Sequence, residues 1–230
     1  NYMYRSPDAR SPFDRSATNG VRLIATPDAA AVPAAAHEPV AQLFRDYTKE
    51  KPVTDEVFAA YARLYSYDAG DLAAKTESAT DAEGWRIERV SYNAAYRNER
   101  IPAYLFLPKT GKPPYQTVLY FPHSGSTQID SFQAKAELAY LGFIVKSGRA
   151  LMIPMYRGTY ERRIKGSLTG PNAFRDLTID RIKDVSRSRD YLATRPDIAG
   201  DKVAYFGVSL GASAGPLALA VDPQIGRAHV

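Results

Sequence analysis

A chain of 230 residues, 45% hydrophobic and 24% charged, has the make-up of a globular protein with room for one sizeable domain plus pieces of others. Thirty Lys and Arg against 25 Asp and Glu give a net charge of +5. That charge is scattered, which argues against the basic, aromatic-interleaved stripe of a nucleic-acid partner. The absence of cysteine excludes disulfides, thiolate catalysis and Cys-ligated zinc, and three separated histidines (His37, His123, His229) give no basis for a metal site.

Asn1 is followed by no charged segment leading into an apolar one, as a signal peptide would require. No apolar run approaches the roughly 20 residues of a membrane helix, and the longest, 212–221, contains Gly215 and Pro216. The expectation is a cytoplasmic location, no membrane or nucleic-acid partner within these residues, and a true N-terminus upstream of Asn1. Residues 1–25 are polar and turn-rich, and 26–37, TPDAAAVPAAAH, has the composition of a linker. A helical extension is expected over 38–84. Val40, Leu43, Phe44 and Tyr47 fall on one face of a helix ending near Lys51-Pro52. Thr54 caps a second helix, with Asp55 and Glu56 in its first turn and Val57, Phe58, Tyr61, Leu64 and Tyr65 on its inward face.

From Trp85 onward strand and helix patterns alternate, which predicts an α/β sheet. Strands are expected at 85–92 and 101–107, joined by a hairpin over 93–100. Near-continuous apolar strands follow at 117–121 and 150–155, with another strand at 202–206. The segment 131–147 reads as a helix with Phe132, Ala136, Ala139, Tyr140 and Phe143 inward. A long amphipathic helix is expected over 172–194, carrying Phe174, Leu177, Ile182, Val185, Tyr191 and Leu192.

The last strand runs into Gly207-Val208-Ser209-Leu210-Gly211 and a small-residue helix. A serine hydroxyl needs an unobstructed approach and a base to become a nucleophile. A sharp strand-to-helix turn exposes the oxygen, and small residues two before and two after relieve the crowding, which is the sense of G-x-S-x-G. Ser209 is the expected nucleophile, and the N–H of Leu210, at the positive end of the helix, the first oxyanion donor. The strand 117–121 ends in Pro122-His123-Ser124-Gly125-Ser126, where Gly125 or its neighbour is expected to give the second N–H. His123 is expected to be structural, because the base follows the nucleophile in this chain order. Ser124 and Ser126 read as turn residues. The loop 156–168 sits where substrate-pocket insertions occur; its Arg157, Arg162, Arg163 and Lys165 read either as a solvated basic surface or as a site for an anionic acyl or leaving group.

Three stretches carry a family resemblance: YFPHSGS, SGRALMIPMYRGTYERR and RDYLATRPDIAGDKVAYFGVSLGA. Over 85–224 the chain resembles the α/β-hydrolase superfamily, nearest to its dienelactone hydrolase, acetyl xylan esterase and prolyl oligopeptidase-like branches. Its closest likeness is to hydrolase modules at the C-terminal end of bacterial serine/threonine kinase fusions. SPDARSPFDRSATNGVRLI, within 1–25, is similar to the end of formylglycine-generating-enzyme-like domains. The resemblance implies a three-layer α/β-hydrolase fold with a mostly parallel sheet, no cofactor, and an esterase acting on a small-molecule ester. It also implies a covalently linked kinase domain upstream of Asn1.

In that superfamily an acid and then a histidine follow the nucleophile. Asp222 comes too early for the acid's strand, and His229 lies in Ile225-Gly226-Arg227-Ala228-His229-Val230, which is what ATC GGA AGA GCA CAC GTC, the start of a sequencing adapter, encodes. Residues 225–230 are therefore expected to be an adapter tail, and the hydrolase domain to be incomplete at its C-terminus. The expected function is a carboxylic ester hydrolase working through an acyl-serine, inactive as the fragment given because the triad Asp and His are missing. A peptidase or thioesterase shares the same elbow, and a hydrolase-shaped ligand-binding or regulatory module attached to a kinase is the reading from another class.

Overall fold

A computed structural model describes Pro33 and residues 46–229, with side-chain detail as far as Ile225. The chain divides into two units, Asn1–Pro52 and Val53–Val230. In the first, Asp46 accepts hydrogen bonds from both the backbone and side chain of Thr48 and pairs with Lys49 at 2.9 Å. Tyr47 lies in this turn and not at the end of a helix; the rest of the helix expected over 40–47, the linker and residues 1–25 fall outside the described residues.

In the second unit, α1 (Asp55–Ala62) starts where the capping signal places it: Thr54 Oγ1 accepts from the Val57 N–H at 3.4 Å. Its expected inward face is corrected. Val57, Phe58, Tyr61 and Leu64 are exposed, and Tyr65 alone of that set packs against the core. The helical extension also ends early, because β1 (Lys75–Ala82) is a strand antiparallel to β2 (Trp85–Asn93).

β2 pairs antiparallel with β3 (Arg100–Pro108), as the hairpin reading requires. The remaining strands are β4 (Tyr115–Phe121), β5 (Ala150–Pro154), β6 (Ile198–Gly207) and β7 (Ile225–His229). The seven-stranded order is β1-β2-β3-β5-β4-β6-β7. β3 meets β5 antiparallel, and β5, β4, β6 and β7 are mutually parallel. β6, which leads into Ser209, therefore lies beside β4, with Phe121 opposite Gly207. Ile225–His229, within the segment expected to be an adapter tail, form edge strand β7.

The sheet is mixed, antiparallel from β1 to β5 and parallel beyond, and helices cover both faces of its buried parallel strands. α3 (Ala173–Ala193) and α4 (Leu210–Val221) lie on one face; their Ile182, Val185 and Ala218 share a core with Leu119, Phe121, Met152 and Tyr205. α2 (Ala134–Lys146) covers the other with Leu141, Ile144 and Val145 against Tyr120, Leu151 and Ile153. Two inward faces are corrected here. Tyr140 and Phe143 of α2 are 55% and 64% exposed, because Leu138, Leu141 and Val145 form a competing stripe that reaches the sheet. Phe132 is buried but precedes the helix, 4.4 Å from Tyr104 between ring centres. Phe174, in the first turn of α3, is exposed, whereas Leu177, Ile182, Val185, Tyr191 and Leu192 are buried as expected. No helix among the described residues is long and apolar enough to cross a membrane.

Candidate active site

The junction of β6 and α4 is built by close backbone approach. Ser209 has φ 53° and ψ −105°, a positive φ that a side-chain-bearing residue adopts only under constraint. The constraint is packing on both sides. A methyl at Gly207 would stand 2.5 Å from the Gly211 carbonyl, and one at Gly211 would stand 2.8 Å from the carbonyl carbon of Phe121. Hydrogen bonds fix the turn: Val208 N–H donates to Phe121 O at 3.2 Å and Gly211 N–H to Val208 O at 3.0 Å. The buried Tyr205 hydroxyl donates to Gly211 O at 2.6 Å. The result is an exposed Ser209 at the end of a buried strand.

The loop after β4 stands next to it. Residues Ser124–Thr127 form a 3₁₀ turn capped by His123, whose Nδ1 accepts the Gly125 N–H at 3.0 Å. Ser126 is buried and both its N–H and its hydroxyl donate to His123 O, at 3.1 and 2.7 Å; Ser124 O accepts from the Thr127 hydroxyl at 2.7 Å. These are turn roles, as the sequence suggested. Gly125, expected as the second oxyanion donor, thus holds its amide on the His123 ring. The Ser124 and Leu210 amides have no acceptor among the described residues. Nor does any hydrogen bond from a described residue reach the Ser209 hydroxyl. Asp222 is buried and accepts from Arg189 Nε at 3.2 Å and Gln224 N–H at 3.1 Å, contacts that anchor the end of α4. The His229 side chain lies outside the described residues.

A cleft of about 370 Å³ opens here. Ser124 and Thr127 border it from the loop after β4 and Leu210 from the start of α4. Gly158, Ile164 and Leu168 come from the loop after β5, and Phe174, Leu177 and Arg181 from α3. A larger cavity, about 540 Å³, lies around Gln116, Arg149 and Lys202, near the opposite ends of β4 and β6. Ligand sites of open α/β sheets form at the carboxyl ends of the strands, so the smaller cleft beside Leu210 is the candidate.

The loop's basic residues are engaged elsewhere. Arg162 Nη1 donates to Asp184 at 2.6 Å and its Nη2 to Glu99 at 2.9 Å and Tyr96 Oη at 2.7 Å. Arg157 pairs with Asp180 at 3.0 Å and Glu99 at 3.4 Å, and Arg163 with Asp130 at 2.9 Å. Lys165 is exposed. Asp184 is fully buried, and burial pushes its carboxyl up to about 7 against the opposing pull of Arg162. No spacing in the sequence announces these pairs, whose partners lie on the loops after β2 and β4 and on α3. Among the described residues, no group of three or more His, Asp or Glu side chains gathers where it could hold a metal ion.

No protein-family model matches the chain, and a search of curated proteins finds no match. Solved structures of similar fold are found. A candidate acetyl xylan esterase of Bacteroides fragilis superposes with a TM-score of 0.59 at 13% identity, over 75% of this chain and 51% of that one. Acetyl xylan esterase 1 of Thermoanaerobacterium sp. gives 0.57 at 19% identity, over 75% and 57%. A glucuronoyl esterase of Solibacter usitatus gives 0.55 at 15%, over 74% and 56%. The chain thus spans little more than half the length of each, and it shares with them the α/β-hydrolase fold.

Proposed function

We propose that this chain carries the nucleophile and oxyanion elements of a serine ester hydrolase that works on a small-molecule ester through an acyl-serine. The observation that carries the reading is Ser209 itself: exposed, held at φ 53° between two glycines that no larger residue could replace, beside a Leu210 amide without an acceptor among the described residues. Esterases among the solved structures of similar fold support an ester as substrate.

In the proposed reaction the Ser209 oxygen attacks the ester carbonyl, and its proton passes to a histidine that follows the elbow in chain order. The carbonyl oxygen gains a negative charge and is met by the Leu210 N–H, at the start of α4, and by an amide of the loop after His123. Gly125 fills that second role once the His123 ring turns away, and its neighbour Ser124, whose amide has no acceptor among the described residues, borders the cleft. Collapse expels the alcohol, and water then releases the acid from Ser209. No cofactor enters these steps. The 230 residues alone are proposed to be inactive, the triad Asp and His standing beyond Gln224.

The test uses the protein encoded by the full gene. It should hydrolyse p-nitrophenyl acetate and take a fluorophosphonate label, and Ser209→Ala should abolish both without unfolding it. His123→Ala should cost about tenfold or less, as befits a loop anchor. A loss as complete as that of Ser209→Ala would make His123 the base. A folded full-length protein that takes no label would overturn the esterase reading and favour a hydrolase-shaped regulatory module, including one linked to a kinase domain. Turnover confined to peptides or thioesters would move the reading within the same acyl-serine chemistry.

A further inference from the structure

Buried arginines are almost always paired, because an unpaired guanidinium loses its hydration without compensation. Around α3 that rule holds for the buried Arg162 and Arg187 side chains, and the half-buried Arg157 is paired as well. Arg181 departs from it. It is 6% exposed, and its Nε donates to Arg157 O at 2.9 Å. Among the described residues its Nη1 and Nη2 have no hydrogen-bond or ion-pair partner. The carboxylates nearest along the helix are already taken: Asp180 by Arg97 and Arg157, and Asp184 by Arg162, Tyr96 and the Arg157 N–H.

The free edge of this guanidinium has a defined place. It borders the cleft that Leu210 and Ser124 also line. A methyl at Gly158, which has φ +83°, would stand 3.1 Å from Arg181 Nη2, so the glycine leaves the space the fork occupies. With Nε tied to a backbone carbonyl and Nη2 lodged against Gly158, the guanidinium is oriented in advance. Burial also pulls its pKa down from the ordinary arginine value, although the cation persists near neutral pH. A fixed, largely buried guanidinium whose two Nη groups border the cleft without a partner among the described residues matches the geometry of a carboxylate.

We propose that Arg181 is a substrate-recognition residue, and that its Nη edge receives a carboxylate carried by the ester bound at Ser209. The proposal rests on the esterase reading above. It replaces the loop residues Arg157, Arg162 and Arg163, whose charges are already neutralised, as the source of any preference for an anionic acyl or leaving group. The favoured substrates are then half-esters of dicarboxylic acids or esters of hydroxy-carboxylates, with the free carboxylate held away from the scissile bond.

The experiment compares kcat/KM for mono-p-nitrophenyl glutarate and p-nitrophenyl butyrate in the protein encoded by the full gene. Arg181→Met should lower the glutarate-to-butyrate ratio by roughly 10- to 100-fold, the weight of a charged hydrogen-bonded contact, and Arg181→Lys should recover part of it. Lys165→Met, at an exposed position of the loop after β5, should leave the ratio unchanged. Thermal melts establish that the Arg181 variants remain folded, and the lysine variant carries the test if the methionine variant does not. A ratio unaffected in a folded variant, or one that moves with Lys165→Met, would overturn the proposal. If neither ester is turned over, the esterase reading fails by itself. Calorimetric binding of glutarate to the unmodified protein, weakened about tenfold or more by Arg181→Lys or Arg181→Met, would still uphold the carboxylate site. No binding of glutarate would remove it.

Discussion

Gly211 lies flush against the backbone of Phe121, so the first turn of α4 and the last residue of β4 leave no room for a methyl between them. Phe121 is the residue from which the loop proposed to hold the oxyanion departs, and Gly211 is two residues past Ser209, the proposed nucleophile. One contact thereby sets the distance between the two halves of the site.

Gly211→Ala should therefore separate these halves. Overpacking of this kind costs about 1–3 kcal/mol, and the shift of Leu210 away from the loop should lower turnover more than stability alone explains. Gly142→Ala is the matching control. Its site in α2 has open space, and alanine there should stabilise by about 1 kcal/mol through helix propensity. Thermal melts and esterase rates on the two variants check both statements; a Gly211→Ala protein as stable and active as the parent would contradict the first.

The positive φ of Ser209 gives a second prediction. Alanine at 209 retains the strained backbone, whereas glycine relieves it. Ser209→Gly should melt above Ser209→Ala by roughly 1 kcal/mol, after allowing for glycine's greater freedom in the unfolded chain. Chemical denaturation of the two variants, both without the nucleophile, gives the comparison directly.

The buried network at Asp184 gives a third. Asp184→Asn removes the charge that Arg162 faces at 2.6 Å in a site without solvent. Arg162 keeps Glu99 as its second carboxylate partner, so the loss of this buried charged hydrogen bond should cost about 1–3 kcal/mol. A urea midpoint within error of the parent's would show that the pair does not hold the loop after β5 to α3.

A pH effect follows from Asp197, held below the usual carboxylate range by two short hydrogen bonds from Arg195, at 2.8 and 2.7 Å. A depressed folded pKa adds stability above the ordinary value of 3.8, and that stability is lost as pH falls through the folded value. The parent should lose stability from about pH 4 downward, and Asp197→Asn should lose less of it over the same range. Parallel pH–stability curves would remove Asp197 as a contributor.

The central parallel strands and the elbow were legible because each leaves a strong local trace. LYF in β4 and ALMI in β5 are apolar on both faces, and the glycines at 207 and 211 mark backbone that must touch. β1 left none. KTESATDA is polar throughout and exposed along almost all its length, so backbone pairing with β2 is what makes it a strand. On α2, the aromatics Tyr140 and Phe143 and the aliphatics Leu138, Leu141 and Val145 each make a plausible helical stripe, and only the sheet decides between them. The reading of the loop arginines failed for a related reason: Asp180, Asp184 and Glu99 are brought to them by the fold, not by spacing. Arg181, one residue among many in an amphipathic helix, has no sequence signature at all.

The adjacency of β4 and β6 also bears on how the site comes into being. Between Phe121 and Gly207 the chain must first lay down α2, β5 and α3, so the elbow and its oxyanion loop meet only through a long-range parallel pairing. Such pairings close large loops and form slowly. During synthesis the earlier strands emerge well before the segment that completes the site, and until β6 docks the apolar edge of β4 is open to other chains. Reactivity at Ser209 should therefore appear late in refolding, after the β2–β3 hairpin is protected from hydrogen exchange, and mutations that slow the docking of β6 should reduce the yield of active protein even where the final structure is unchanged.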